Sequence, residues 1–254
     1  VTVHRDEQPH VLALRVRREG IDGGVRTLVE RVGGRPLEAV NNAAVAADGT
    51  IYFSDSSQRF RIPQWRADLV QRTATGRLFR RAPDGTVTEL LGGLEFANGV
   101  ALAPDESWVA VAETGASRVR RVWLTGERAG EAEVFVDDLP GHPDNIALGS
   151  DGLVWITLPS PRVASLTAIH RLPALLRVLI SKLPARLLPS PGPHSCNTGC
   201  LCTGPWARHA LQEQTGHRSE GRTAGRCPWV AAHLPGPLLP VRSTVKSLSV
   251  PALD

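Results

Sequence analysis

Side chains that carry amide or carboxylate oxygens recur at matching positions of a pattern that occurs three times in this 254-residue chain. Each copy consists of an Asn, a short apolar run, an Asp-led turn and a second apolar run. The residues in phase are Asn42, Asn98 and Asn145, with Asp144 directly before the last. Hard oxygen atoms that converge on one point are the ligands that calcium requires. The four side chains therefore predict a calcium site if the fold brings them together.

A simpler interpretation exists for each of these residues taken alone. Asn and Asp are common at the ends of strands because their side chains bond to the nearby backbone. That property accounts for one such residue without any ligand. The recurrence of all four residues in phase favours a shared site, although both interpretations remain open from the residues alone.

Each copy of the pattern also predicts a β-hairpin, because apolar runs rich in β-branched and aromatic residues flank a tight turn. The three Asn residues lie 56 and 47 positions apart, a spacing that suits the blades of a β-propeller. The inner strands of a propeller line its central channel, so equivalent residues of successive blades face the axis at one height. We therefore expect inner strands that begin near Ala43, Gly99 and Ile146.

Four segments resemble the strictosidine synthase-like family and occur in the family's order, namely residues 52–57, 76–78, 97–102 and 139–146. This family is grouped with the paraoxonases and the gluconolactonases, which are six-bladed, calcium-dependent propellers. The resemblance covers roughly residues 10 to 190. It implies that the calcium ligands are Asn42, Asn98, Asp144 and Asn145. The family takes a further glutamate ligand from its first blade, and this sequence shows no counterpart.

The expected fold is all-β, a partial six-bladed β-propeller with three to four blades and a short helical cover. Residues 1–161 would form the blades, the first of them incomplete at its N-terminal side, and residues 162–190 would form the amphipathic cover. All four cysteines lie within residues 191–254, and half of the prolines fall from Pro184 onward. We expect residues 191–254 to form an irregular tail that is disordered or translated out of frame. The polar residues 58–75 predict a loop over one face of the propeller.

Leucine and isoleucine residues recur at helical spacing within 162–190, and Pro173 and Pro184 are expected to divide this segment into short helices. The interpretation that we favour is a cover on the mouth of the propeller, whose apolar underside forms one wall of a substrate pocket. The alternative is contact with a membrane surface through residues 163–188, because a basic amphipathic helix can lie in that interface.

The distribution of charge argues against a nucleic-acid partner. Residues 1–151 hold 18 basic and 22 acidic side chains, whereas residues 152–254 hold 11 and 3, so the basic character does not belong to the blades. Arginines near residue 120 alternate with glutamates, which favours a solvated face of mixed charge. No secretion signal is recognisable at Val1, which favours the cytoplasm over secretion.

Several classes of site are disfavoured by the absence of their motifs. The chain lacks the G-x-S-x-G elbow of serine hydrolases, a phosphate-binding loop and a dinucleotide fingerprint. The cysteines and histidines of the tail lack the paired C-x₂-C spacing of zinc sites. Disulfides are equally unsupported without an export signal.

The function that these observations favour is calcium-dependent hydrolysis of small-molecule esters or lactones, with Asp144 as the catalytic residue. By resemblance, an alternative is the strictosidine synthase reaction, which condenses an amine with an aldehyde and needs a late-blade glutamate that is not recognisable here. A third possibility is a non-catalytic binding propeller. We expect this short chain itself to be nearly inactive, because about half of the six blades are not recognisable in it.

Overall fold

The computed structural model of the chain describes residues 14–17, 25–149, 152–189 and 201–202. Antiparallel strands dominate these ranges, and three short α-helices accompany them. The strands form two complete four-stranded sheets and part of a third, one after another along the chain. The predicted class, an all-β partial propeller with a short helical cover, is confirmed.

The first part of the described chain contains two hairpins and a complete blade. Strand β1 (Leu14–Arg17) pairs with β2 (Val25–Val29), and β3 (Arg31–Val32) pairs with β4 (Arg35–Pro36). The first complete blade consists of four strands in chain order, which are β5 (Val40–Val45), β6 (Ile51–Asp55), β7 (Gly76–Arg81) and β8 (Val87–Leu94).

The second blade repeats the first, and a third follows in part. The four strands of the second blade are β9 (Ala97–Leu102), β10 (Trp108–Glu113), β11 (Arg118–Trp123) and β12 (Ala132–Val136). The third unit contains β13 (Gly141–His142), β14 (Ile146–Leu148), β15 (Val154–Ile156), β16 (Ser160–Pro161) and β17 (Leu201–Cys202). Strands β14, β15 and β17 form one sheet, and β13 pairs with β16. The inner strands β5, β9 and β14 lie where the repeat places them.

The Asp-led turns of the repeats are held by their own side chains. Asp48 accepts hydrogen bonds from the backbone N–H and the hydroxyl of Thr50, at 2.7 and 2.9 Å. Gly49 supplies the left-handed φ of +87° at this turn. Asp105 likewise accepts two bonds from Ser107, at 3.1 and 2.7 Å. Local bonding of this kind explains why an Asp-led turn recurs in the sequence.

The blades stack on one another through both faces of β10, whose residues are all buried. Val109 and Val111 belong to the apolar cluster shared with the first blade. The alternate residues Ala110 and Ala112 belong to the cluster shared with β14 and β15. Because successive side chains of a strand point to opposite faces, a continuous apolar run suits a blade that has a neighbour on each side.

A buried carboxylate closes the end of the second strand in both complete blades. Asp55 accepts a hydrogen bond from the Ala39 N–H at 2.9 Å and pairs with Arg77 at 2.7 Å. Glu113 occupies the equivalent place: it accepts a bond from the backbone N–H of Glu95 at 2.9 Å and pairs with the next strand's Arg118 at 2.6 Å. Each carboxylate therefore links two parts of its own blade. One is the backbone just before the inner strand, and the other is an arginine of the third strand.

Residues 58–75 do not form the irregular loop that their polarity predicts. They contain a 3₁₀ turn (Ile62–Gln64) and the helix α1 (Trp65–Gln71). A seven-residue helix is marginal by itself, and this one is stabilised by burial of Leu69 and Val70 in an apolar cluster that includes residues of the cover. The loop prediction was wrong because this stabilisation comes from distant parts of the chain.

The cover consists of α2 (Ala164–His170), α3 (Ala174–Ser181) and a 3₁₀ turn (Ala185–Leu187), divided at the two predicted prolines. It is anchored on α1 by two hydrogen bonds. His170 Nε2 lies 2.7 Å from the Leu69 carbonyl oxygen, and Gln71 Nε2 donates to Ser181 Oγ at 2.7 Å. No helix in the described ranges is long and apolar enough to cross a membrane. Apart from β17, the predicted tail lies outside the described residues.

Candidate metal centre

The four residues singled out by the repeat lie at one end of the inner strands and contact one another. Asn42 is in β5, Asn98 is in β9, and Asp144 and Asn145 directly precede β14. Asn98 Nδ2 donates to Asp144 Oδ1 at 2.5 Å, and Asn42 Nδ2 donates to Asn145 Oδ1 at 3.1 Å. Because Asp144 and Asn145 are adjacent in the chain, the two hydrogen bonds gather side chains from three blades.

The amide oxygen of Asn98 is the atom best suited to hold a cation. The residue is only 4% exposed, and its Oδ1 is buried with no hydrogen-bond partner in the described part of the chain. Its Nδ2 bonds to Asp144 and, at 3.2 Å, to Thr114 Oγ1, which sets the orientation of the amide. A buried acceptor without a donor costs about 1–3 kcal/mol. A cation bound beside Asp144 would satisfy this oxygen.

Asn42 is oriented differently. Its Oδ1 accepts a hydrogen bond from the Val100 N–H at 3.1 Å, so its NH₂ group faces Asn145. If the amide were rotated by half a turn, the Asn42 NH₂ group would face the Val100 N–H, and both groups are donors. Asn42 could therefore bind a cation only through the second lone pair of Oδ1, and its observed bonds join the first blade to the second and third.

The donor set suits a hard cation. No cluster of three or more His, Cys, Asp or Glu side chains that could hold a metal ion occurs within residues 14–17, 25–149, 152–189 and 201–202. The candidate centre instead combines amide oxygens with the single carboxylate of Asp144. Calcium accepts carboxylate and amide oxygens, whereas zinc sites are built mainly from thiolate and imidazole ligands.

Three hydroxyl side chains that the sequence reasoning missed hold the inner strands in place. Ser54 Oγ accepts from the Asn42 N–H at 3.1 Å and donates to the Asn98 carbonyl oxygen at 2.6 Å. Thr114 Oγ1 donates to the Pro143 carbonyl oxygen at 2.7 Å, and Thr157 Oγ1 donates to that of Asn145 at 2.9 Å. Ser54 and Thr157 end the second apolar run in two copies of the repeat, a recurrence that could have revealed their role.

Gly99 allows the second and third blades to approach closely at the site. Its N–H donates to the Asp144 carbonyl oxygen at 2.9 Å. A Cβ atom at this position would lie 2.7 Å from that same oxygen and 2.8 Å from the Asn145 carbonyl carbon, and it would contact the Ile146 nitrogen. These neighbours are backbone atoms, so they cannot give way by a change of rotamer.

Gly99→Ala is therefore expected to lower the free energy of unfolding by about 2 kcal/mol, within the range for overpacked sites. Gly92→Ala in β8 is the matched control, since its Cβ would meet only the mobile carboxylate end of Glu89, at 2.5 Å. Both changes reduce the entropy of the unfolded chain alike. Urea denaturation measures the two, and an equal effect would show that the close approach at Gly99 is not required.

A cavity of about 420 Å³ opens beside three of the four residues. Its polar side includes Asn98, Asp144 and Asn145, and its apolar side is formed by Ile62, Trp65, Leu69 and Phe96. Within the described ranges, the apolar wall that the sequence predicts from the cover is absent from this cavity, where residues 62–69 and Phe96 supply it. The cover instead lines a second cavity of about 530 Å³ through Leu166, Thr167 and His170, and both cavities include His142.

His142 lines the same cavity with a buried ring. Its Nδ1 lies 2.9 Å from the Thr114 carbonyl oxygen, and a carbonyl only accepts, so Nδ1 carries the proton. Burial lowers the pKa of His142 below its ordinary value, partly offset by the bond to Thr114. Nε2 is then an acceptor, and it has no partner among the described residues. The sequence motif contained His142, but nothing in its pattern distinguished this residue.

Comparison with known proteins finds a matching family model and several similar sequences. A family model described as strictosidine synthase matches residues 41–127. An adipocyte plasma membrane-associated protein of Salmo salar is 40% identical over 172 residues, which cover 64% of this chain and 41% of the relative. Protein strictosidine synthase-like 10 of Arabidopsis thaliana is 38% identical over 187 residues, or 71% of this chain and 48% of the relative.

A solved gluconolactonase from Xanthomonas campestris is 23% identical with a TM-score of 0.46, and the match covers 58% of this chain and 50% of that one. The chain thus spans less than half the length of the curated relatives above. The matched segments include the blades that carry Asn42 and Asn98. Over its matched residues the chain is thus similar to the strictosidine synthase-like family.

Proposed function

We propose that the protein is a calcium-dependent hydrolase of small-molecule esters or lactones. Asn98, Asp144 and Asn145 would hold the ion, with Asn42 contributing through its second lone pair. The observation that carries the proposal is the buried, unpartnered Oδ1 of Asn98, which lies beside a carboxylate at the edge of a cavity. Bound there, calcium would polarise an ester carbonyl and stabilise the oxyanion that forms during hydrolysis.

The chain's own groups have distinct parts in this reaction. Asp144 supplies the only negative charge among the four candidate ligands, and its carboxylate would also orient the attacking water or accept its proton. His142 presents Nε2 as an acceptor and would bind a hydroxyl or water in the cavity. The apolar wall formed by Trp65, Leu69 and Phe96 would hold the hydrocarbon part of the substrate and exclude bulk water.

The oxygen-rich centre favours hydrolysis over the alternative condensation of an amine with an aldehyde. An imine-forming reaction has no need of converging hard oxygens, whereas attack of water on an ester benefits from charge held beside the carbonyl. The relatives' names include strictosidine synthase-like proteins and adipocyte plasma membrane-associated proteins, and they support the family without selecting the reaction.

The test separates binding from turnover. The chain would be stripped with EGTA and titrated with calcium by calorimetry, and hydrolysis of phenyl acetate and of an aliphatic lactone would be followed with calcium and with EGTA. We expect one calcium site and, because this short chain is expected to be nearly inactive, only weak turnover that EGTA abolishes, both lost in Asn98→Ala. Calcium binding without turnover of any ester or lactone would point to a binding propeller, and the absence of calcium binding would refute the metal centre.

A further inference from the structure

The helical cover exposes six of its leucines and buries a polar residue, although Leu166 and Leu188 pack inward. Leu175, Leu179 and Leu187 are 80%, 60% and 62% exposed, and Leu172, Leu176 and Leu183 are also exposed. Ser181 of α3 is buried instead, donating to the Val178 carbonyl oxygen and accepting from Gln71. A helix packed on a protein core normally directs its apolar stripe inward. The cover packs Leu166, Ile169 and Ile180 inward but also presents a second apolar face, called here the leucine face, to its surroundings.

The leucine face is continuous because of its spacing. Leu175 and Leu179 lie four residues apart on α3, and Leu183 follows at the same interval just beyond it, so the three share one side of the helix. The opposite side of α3 packs on α1. Exposed apolar patches that exceed a few isolated side chains mark surfaces for a partner or a membrane.

The charged side chains of the cover itself have a single sign, and one of them, Arg162, pairs with Asp138 of the second blade. Between Asp151 and Glu213 the sequence contains no acidic residue, whereas residues 162–187 contain five arginines and lysines. Arg171, Lys182 and Arg186 are exposed, and none of them forms an ion pair with an acidic side chain in the described ranges. Cationic side chains that border an apolar face complement a surface with two properties, namely negative charge at its exterior and an apolar layer below it.

We propose that the leucine face of the cover docks on the surface of an anionic lipid bilayer. The leucines would enter the boundary between headgroups and acyl chains, and the exposed cations would contact lipid phosphates and carboxylates. The helices are too short to span a bilayer, so they lie along its surface. A second copy of the chain fits the face less well, because two such faces would bring like charges together. This proposal does not depend on the calcium centre.

The experiment measures co-sedimentation of the full 254-residue chain with large unilamellar vesicles, made of phosphatidylcholine alone or mixed with phosphatidylserine. We expect the chain to bind the mixed vesicles, with an affinity that falls as salt is added. Leu175→Ser/Leu179→Ser is expected to weaken this binding at least tenfold. Lys182→Gln/Arg186→Gln is expected to remove the preference for phosphatidylserine while leaving residual binding.

The matched control is Val45→Ser/Val134→Ser, which removes two valines that are each 45% exposed on the blades, and it should bind as the parent does. Circular dichroism and thermal melting would verify that every variant is folded. Failure of the parent chain to bind mixed vesicles, or equal binding by the leucine variant, would overturn the proposal. So would gel filtration that shows a dimer of the parent and a monomer of the leucine variant, because a second copy would then cover the face.

Discussion

Asp144→Asn is expected to weaken calcium binding by this chain about 100-fold, which corresponds to about 2.8 kcal/mol. The change keeps the size of the side chain and one carbonyl-type oxygen, so the hydrogen bond that Asn98 donates to Oδ1 can persist. What disappears is the single formal negative charge among the four candidate ligands. Calcium affinity is tuned strongly by the number of charged ligands, and a site with one carboxylate has no other charge to compensate. Calorimetric titration of both proteins measures the difference.

Asp84→Asn is the control for the loss of charge alone. Asp84 accepts a bond from the Thr86 N–H at 2.8 Å in the turn between β7 and β8, at the end of the blade away from the candidate centre. Asparagine can keep that bond, so we expect calcium affinity to stay unchanged. If the two variants bound calcium equally well, Asp144 would not be a ligand. In that case Asn98 and its unpartnered oxygen would need another occupant.

The parts of the fold that were predictable are those determined by local chemistry. The Asp-led turns at Asp48 and Asp105 are held by bonds to residues two positions later, and the apolar runs beside them form strands that alternate between two faces. Such signals lie within a few residues of sequence and repeat with each blade. Asn42, Asn98 and Asn145 occupy the same position in each repeat, and this was sufficient to predict that they lie at one end of the blades.

The parts that could not be predicted depend on contacts between distant segments. Helix α1 is formed because Leu69 and Val70 are buried beneath a cover about 100 residues further along the chain. The orientation of Asn42 is set by the N–H of Val100, 58 residues away. Neither partner can be recognised from the sequence near α1 or near Asn42. The sequence therefore indicated which residues meet at the candidate centre, and the structure shows which atoms they present.

The buried carboxylates of the two complete blades are a further long-range feature with a measurable role. Asp55 is fully buried, and burial raises its pKa, while hydrogen bonds from Arg77 and Ala39 act in the opposite direction. Arg77 is itself only 7% exposed at its side chain and lies 4.8 Å from the ring of Phe79. Two such ions are stable in the interior only as a pair, because each would otherwise lose its water without compensation.

Asp55→Ala is accordingly expected to lower the free energy of unfolding by about 3–5 kcal/mol, the usual cost of leaving one partner of a buried ion pair alone. It also deprives the Ala39 N–H of its acceptor at the entry to β5, the strand that carries Asn42. Glu38→Ala is the matched control, because the ion pair of Glu38 with Arg61 is partly exposed, at 30% and 54% of the two side chains, and should contribute at most about 1 kcal/mol. Urea denaturation of both variants provides the comparison.

A double variant shows where the cost of Asp55→Ala arises. In Asp55→Leu/Arg77→Met the pair is replaced by apolar side chains of similar length, so no unpaired charge remains buried. If the cost comes mainly from the stranded guanidinium, this variant should be clearly more stable than Asp55→Ala, with only the Ala39 N–H left without its acceptor. Should the double variant be as unstable as the single one, the bond to Ala39 rather than the ion pair would be the main contribution. Glu113 and Arg118 would then be expected to stabilise the second blade in the same way, through the Glu95 N–H.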